Sequence, residues 1–135
     1  MSNQLLLIED DPIFTFLLQK AIHKSNIEGQ ITTFDNGLNA IEYLQKEYLK
    51  DNNYILFLDL NMPVMNGWQF MEAFNLLAEP SNCMVFIVTS SKNQRDIDIL
   101  IENKLVADFI TKPITDDIIN NIKGKVNEKF GEKSH

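Results

Sequence analysis

Glu9-Asp10-Asp11, Asp59, Thr89-Ser90 and Thr111-Lys112-Pro113 each close an apolar run of the chain. Carboxylates brought together repel one another and raise each other's pKa unless a cation lies among them. Oxygen ligands without clustered histidine or cysteine select a hard ion, Mg²⁺ or Mn²⁺, over zinc. A hydroxyl and an ammonium on the other side supply what a phosphoryl group requires, a hydrogen-bond donor and a point charge. If these run ends converge, the chemistry they suit is metal-assisted phosphoryl transfer, with a carboxylate able to act as nucleophile.

Taken singly, each residue has a plainer role. Asp11 stands before Pro12 and reads as a helix N-cap. Thr89 alone is a strand residue, Lys112 alone a surface charge, and Asp59 alone a loop acid. Their joint placement after apolar runs favours a shared site. His23 and His135 are far apart in sequence and read as solvated; Trp68 and the phenylalanine stripes read as core.

The runs that would carry these groups are Leu5–Ile8, Ile31–Phe34, Tyr54–Leu58, Met84–Val88 and Ala107–Ile110. Three lack the alternation of a half-exposed strand, the signature of parallel strands buried on both faces. Apolar stripes at helical spacing lie between and after them: Phe14, Leu17, Leu18, Ala21, Ile22; Leu38, Ile41, Leu44; Phe70, Phe74, Leu77; Ile97, Leu100, Ile101; Ile118, Ile122, Val126. Thr115 before Asp116-Asp117 marks a further helix start, and Ser91 with Gln94 has capping-box spacing. Breakers fall at Glu28-Gly29, Asp51-Asn52-Asn53, Asn66-Gly67 and Glu79-Pro80-Ser81-Asn82. Strict β–α alternation predicts an open, doubly wound α/β sheet with right-handed crossovers. In such sheets ligands bind beyond the carboxyl ends of the strands, where the strand order reverses. That is where the polar run ends would lie.

Composition narrows the setting. At 135 residues the chain suits one domain, residues 1–135, with a tail from about residue 129 expected to fray. A net charge of −7 disfavours nucleic acid and anionic membrane surfaces as partners. The single cysteine, Cys83, fits a reducing compartment. The opening apolar run is too short for a signal peptide, and no run is long enough to span a membrane. A cytoplasmic protein is expected.

At "LLLIEDDP", "ILFLDLNMPVMNG", "VFIVTSS" and "FITKPI", in that order and spacing, the chain resembles the receiver domain of bacterial two-component response regulators, the CheY-like fold. The resemblance covers nearly the whole length. It implies a five-stranded parallel sheet of (βα)5, flavodoxin-like type, in the order 2-1-3-4-5. It also implies that Asp59 is the phosphoacceptor. Asp10 and Asp59 would hold Mg²⁺, joined by the Asn61 backbone carbonyl and by Glu9, which stands where many relatives have aspartate, through water. Thr89 would be the switch hydroxyl, Phe109 the switch aromatic in place of the tyrosine of some relatives, and Lys112 the family's lysine, with a cis bond to Pro113. Asn61 and Ser91 stand where the family tunes dephosphorylation.

By the same resemblance the phosphoryl donor is a sensor histidine kinase or a histidine phosphotransfer protein. The surface that answers is that of the fourth helix, fifth strand and fifth helix. With no output segment after the last helix, a stand-alone regulator is expected, one that binds a protein target or relays phosphate to another histidine. Catalysis is expected to go no further than self-catalysed phosphorylation and dephosphorylation. A haloacid-dehalogenase-type phosphatase would need an acid two residues after the nucleophile, and Asn61 cannot donate and recover a proton. A flavodoxin-like flavin site would need a phosphate loop where "EDDP" repels phosphate. A receiver that no longer takes phosphate would not need the complete residue set.

Overall fold

Strand and helix alternate along the whole computed structural model, which describes residues 2–90 and 93–131. In order come β1 (Asn3–Ile8), α1 (Pro12–Lys24), β2 (Gln30–Phe34), α2 (Gly37–Glu47), β3 (Asn53–Asp59) and α3 (Gly67–Asn75). A 3-10 turn at Pro80–Asn82 leads into β4 (Cys83–Thr89), followed by α4 (Gln94–Leu100), β5 (Val106–Thr111) and α5 (Asp116–Phe130). All four strand pairings are parallel, in the order β2-β1-β3-β4-β5. The order reverses between β1 and β3, so the crevice of the sheet opens where Glu9 and Asp59 end their strands.

The apolar runs explain the layering. Every residue of β3 and β4 is buried, as strands covered on both faces must be. Leu6, Ile8, Leu56, Leu58, Val85 and Ile87 face one layer, formed by α2, α3 and α4. Leu5, Leu7, Ile55, Phe57, Met84 and Phe86 face the other, formed by α1 and α5. The period of two along a strand divides one apolar run between two cores. At the sheet edge β2 is only partly buried, as its mixed composition requires.

Local signals set the helix starts. The Asp11 carboxylate accepts from Ile13 N and Phe14 N, with Pro12 in the first turn. Thr115 caps α5 at Ile118 N. Asn66 does more than break the chain: with Gln69 it forms a full capping box at the start of α3. Asn93 caps α4, whereas the box predicted at Ser91 falls outside the described residues. The buried faces of the helices differ in places from the apolar stripes. Leu17 is 56% exposed and Ile101 50% exposed, while Ile119 takes the buried place predicted for Ile118. α5 runs to Phe130, and Lys129 donates to the carbonyls of Pro80 and Cys83.

Candidate metal and phosphoryl site

Parallel register brings the strand ends together. Ile8 lies beside Leu58, Asp59 beside Val88, and Thr89 beside Thr111. The residues one or two steps further on, Glu9, Asp10 and Lys112, therefore lie with Asp59 and Thr89 at the same crevice. Buried neighbours hold the strands, so the sheet fixes these backbone positions before any ligand arrives.

The loop after Asp59 is tied back tightly. Asn61 N donates to Asp59 Oδ1 at 3.0 Å, which orients the carboxylate. Gly67 N donates to Leu60 O at 3.0 Å, and a Cβ on Gly67 would stand 2.7 Å from the Asp59 carbonyl. Only glycine permits that approach. Between them Met65 N donates to Pro63 O across Val64, whose φ is +70°. This is a γ-turn forced on a β-branched residue, a conformation costing about 1–3 kcal/mol that persists because both ends of the loop are strapped. The expected cis bond joins Lys112 to Pro113.

Glu9, Asp10 and Asp59 each offer a carboxylate oxygen, all within 4.8 Å of one another. Glu9 and Asp59 are buried at 6% exposure each, while Asp10 is open to solvent. Lys112 Nζ lies 2.6 Å from Glu9 Oε1 and 3.7 Å from Asp59 Oδ2. Glu9 Oε2 accepts from Asp11 N at 3.1 Å. Apart from the lysine ammonium, buried Oε1 has no hydrogen-bond partner among the described residues.

Burial raises the Glu9 pKa, an effect only partly offset by Lys112. Burial and then the neighbouring Glu9 raise that of Asp10. For Lys112 burial acts downward, but Glu9, Asp59 and Asp11 outweigh it and the pKa rises. The directions agree once the ammonium is seen as shared: the lysine meets several carboxylates, and each carboxylate meets a fraction of one cation. Three carboxylates against one ammonium leave a deficit of positive charge, which one divalent ion would fill. The donor set, all oxygen and partly open, suits Mg²⁺ or Mn²⁺.

Other predicted residues fall at or beside the crevice. Thr89 is buried, and its carbonyl accepts from Lys112 N at 2.9 Å. Asn61 is exposed in the loop, with its N–H turned to Asp59. Phe109 is buried, at 7% exposure, in the core layer with Leu100 and Leu105. Asp11 serves as the cap and is not a member of the carboxylate group. One neighbour was read only as core: the Phe14 ring lies under Lys112 Nζ, 4.5 Å from its centroid. Nothing in the sequence spacing pairs residues so far apart.

A cleft of about 380 Å³ opens beside Glu9 and Asp10, walled by Phe16, Phe34 and Asp35. The larger hollow, about 1010 Å³, lies at the amino ends of the strands among Asn3, Gln30, Asn53 and Asn127, away from the carboxylates.

Residues 5–123 match the response regulator receiver domain family. The chain belongs to this family. Receiver domains as a class are phosphoacceptors that partner with histidine kinases in two-component systems. A two-component response regulator from Cytophaga hutchinsonii shares 30% identity with this receiver domain and superposes with a TM-score of 0.82, covering 94% of this chain and 98% of that one. The response regulator Rcp1 of Synechocystis is 26% identical over 96 residues, 69% of this chain and 65% of Rcp1. The Mn²⁺-bound form of Rcp1 shares the fold at TM-score 0.71 and 23% identity, covering 98% of this chain and 96% of that one. The autoinducer 1 sensor kinase/phosphatase LuxN of Vibrio harveyi is 22% identical over 123 residues, 91% of this receiver domain but 13% of LuxN. No helix among the described residues is long and apolar enough to cross a membrane.

Proposed function

We propose that Asp59 accepts a phosphoryl group from a phosphohistidine on a sensor kinase or phosphotransfer protein, and that the resulting aspartyl phosphate switches the surface of α4, β5 and α5 toward a protein target. The observation that carries this reading is the placement of Asp59. It is a buried carboxylate oriented by Asn61 N–H, faced by the Lys112 ammonium and flanked by two further acids at the sheet's switch point.

In the transfer, an Asp59 oxygen forms a bond to phosphorus as the P–N bond breaks, and the imidazole leaves with the bonding pair and takes up a proton. The Asn61 N–H keeps the carboxylate aimed. Lys112 offsets charge on the phosphoryl oxygens, moving from Glu9 toward Asp59. Asp10, Asp59, the Asn61 carbonyl and, through water, Glu9 would hold a divalent cation, Mg²⁺ or Mn²⁺, which would supply further positive charge there. The Thr89 hydroxyl turns to the phosphoryl group, a charge-assisted bond of about 1.5–3 kcal/mol. That is enough to bring a minor conformer to a large share of the population. Phe109 and the rest of β5 carry the change outward to α4 and α5. The same phosphate can pass on to a second histidine, so a relay role uses the same site.

Incubation with acetyl phosphate and Mg²⁺ is expected to give a phosphorylated species by intact mass, and Asp59→Asn none. An unmodified wild type, or an undiminished adduct on Asp59→Asn, refutes the proposal.

A further inference from the structure

Lys112 is held by more than carboxylates. Its ammonium sits over the face of Phe14, 4.5 Å from the ring centroid, with Glu9 Oε1 at 2.6 Å and Asp59 Oδ2 at 3.7 Å. Phe14 is itself a fixed wall. It is 8% exposed and packed in the core layer of α1 and α5, and its N–H is one of the two that Asp11 caps. The lysine side chain above it is 21% exposed, so the contact is partly screened from water.

The ring and the acids act on the ammonium differently. A carboxylate attracts it strongly but is also wanted by a divalent ion. When the ion takes the carboxylates, their hold on the lysine weakens. An aromatic face attracts a cation through its quadrupole and binds neither a hard ion nor a phosphoryl oxygen. Its hold is therefore the same before and after the acids are occupied. Without it a four-carbon stem carrying a strongly hydrated ammonium would spread over many positions and into solvent. A fixed face also limits travel: the ammonium can pass from Glu9 to a group on Asp59 while staying above the ring.

We propose that Phe14 is a positioning residue for Lys112, its ring face holding the ammonium where it reaches a phosphoryl group on Asp59. This rests on the phosphoacceptor role of Asp59. It adds a residue on the first turn of α1 whose aromaticity, beyond its bulk, matters to the reaction.

The test keeps shape constant and weakens the ring face. Phenylalanine analogues carrying one, three and five ring fluorines are placed at position 14, and the rate of phosphorylation by acetyl phosphate with saturating Mg²⁺ is compared with wild type and Phe14→Leu. The rate should fall stepwise along the series, reaching about tenfold for Phe14→Leu, the order expected for losing a partly desolvated cation–π contact. In proton NMR the Lys112 ε-methylene should be shifted upfield by the ring in wild type and return toward the free-lysine position in Phe14→Leu. An adduct on wild type with a rate flat across the fluorinated series overturns this inference alone. An ε-methylene shift unchanged in Phe14→Leu does the same. No adduct on wild type overturns the phosphoacceptor role and this inference together.

Discussion

Lys112 is the residue on which the charge of the site balances, one ammonium among three carboxylates. Removing it leaves Glu9 buried with an unpartnered oxygen beside two further acids. Lys112→Ala is therefore expected to lower the stability of the metal-free protein by about 1–3 kcal/mol, the cost of stranding a buried polar group. The mutant's carboxylates, with no internal cation, should answer more strongly to a divalent ion. Urea unfolding with and without Mg²⁺ checks both: the metal-free midpoint falls, and the increment from Mg²⁺ exceeds that of wild type. Glu9 meets Lys112 Nζ at 2.6 Å, a contact set by how β1 and β5 flank β3 and β4.

At the scale of the elements, one strap joins the loops at the amino ends of β3 and β4. Asn82 donates to Asn52 O at 2.8 Å and accepts from the Tyr48 hydroxyl at 2.7 Å; Cys83 Sγ lies 3.8 Å from that hydroxyl. Lys129, at the end of α5, closes over the carbonyls of Pro80 and Cys83. Burial raises the pKa of both the Cys83 thiol and the Tyr48 phenol. A raised folded pKa means that the stabilising contribution is fully present below the unfolded values, 9.0 for the thiol and 10.0 for the phenol. It is lost as the pH rises through the higher folded values. Unfolding free energy measured across alkaline pH should fall from about pH 9 upward, and Cys83→Ala should flatten the first part of that slope. In the sequence this segment read only as a breaker, because proline, serine and asparagine signal a turn whether or not the asparagine is buried.

At the scale of the whole molecule, a net charge of −7 and an acidic crevice act together. Simple salt screens the general repulsion, whereas a divalent ion also fills the site. Mg²⁺ should thus raise the melting temperature beyond NaCl of equal ionic strength, by binding the folded state preferentially, at about 1.4 kcal/mol for a free concentration ten times Kd. Asp10→Asn should erase the excess and leave the salt effect in place. Differential scanning calorimetry of the two proteins in matched salts separates these terms. An excess that survives Asp10→Asn would place the ion elsewhere.

What the sequence determined by itself is whatever depends on neighbours a few positions away. Apolar runs without alternation at 54–58 and 84–88 read as strands covered on both faces. Asp11-Pro12 and Thr115 could only open helices well, because an unpaired first-turn N–H wants a side-chain acceptor. The order of polar run ends, matched to a known family, then gave the acids, hydroxyl and lysine of the site. Tertiary structure decided how these groups share one another. Strand order and register set Lys112 nearer Glu9 than Asp59, the packing of α1 on the sheet slid Phe14 beneath that lysine, and the two helix layers left Leu17 and Ile101 outside while taking Phe109 in. The contacts of Lys112 with Glu9 and Phe14 join residues about a hundred positions apart, and no local spacing carries that information.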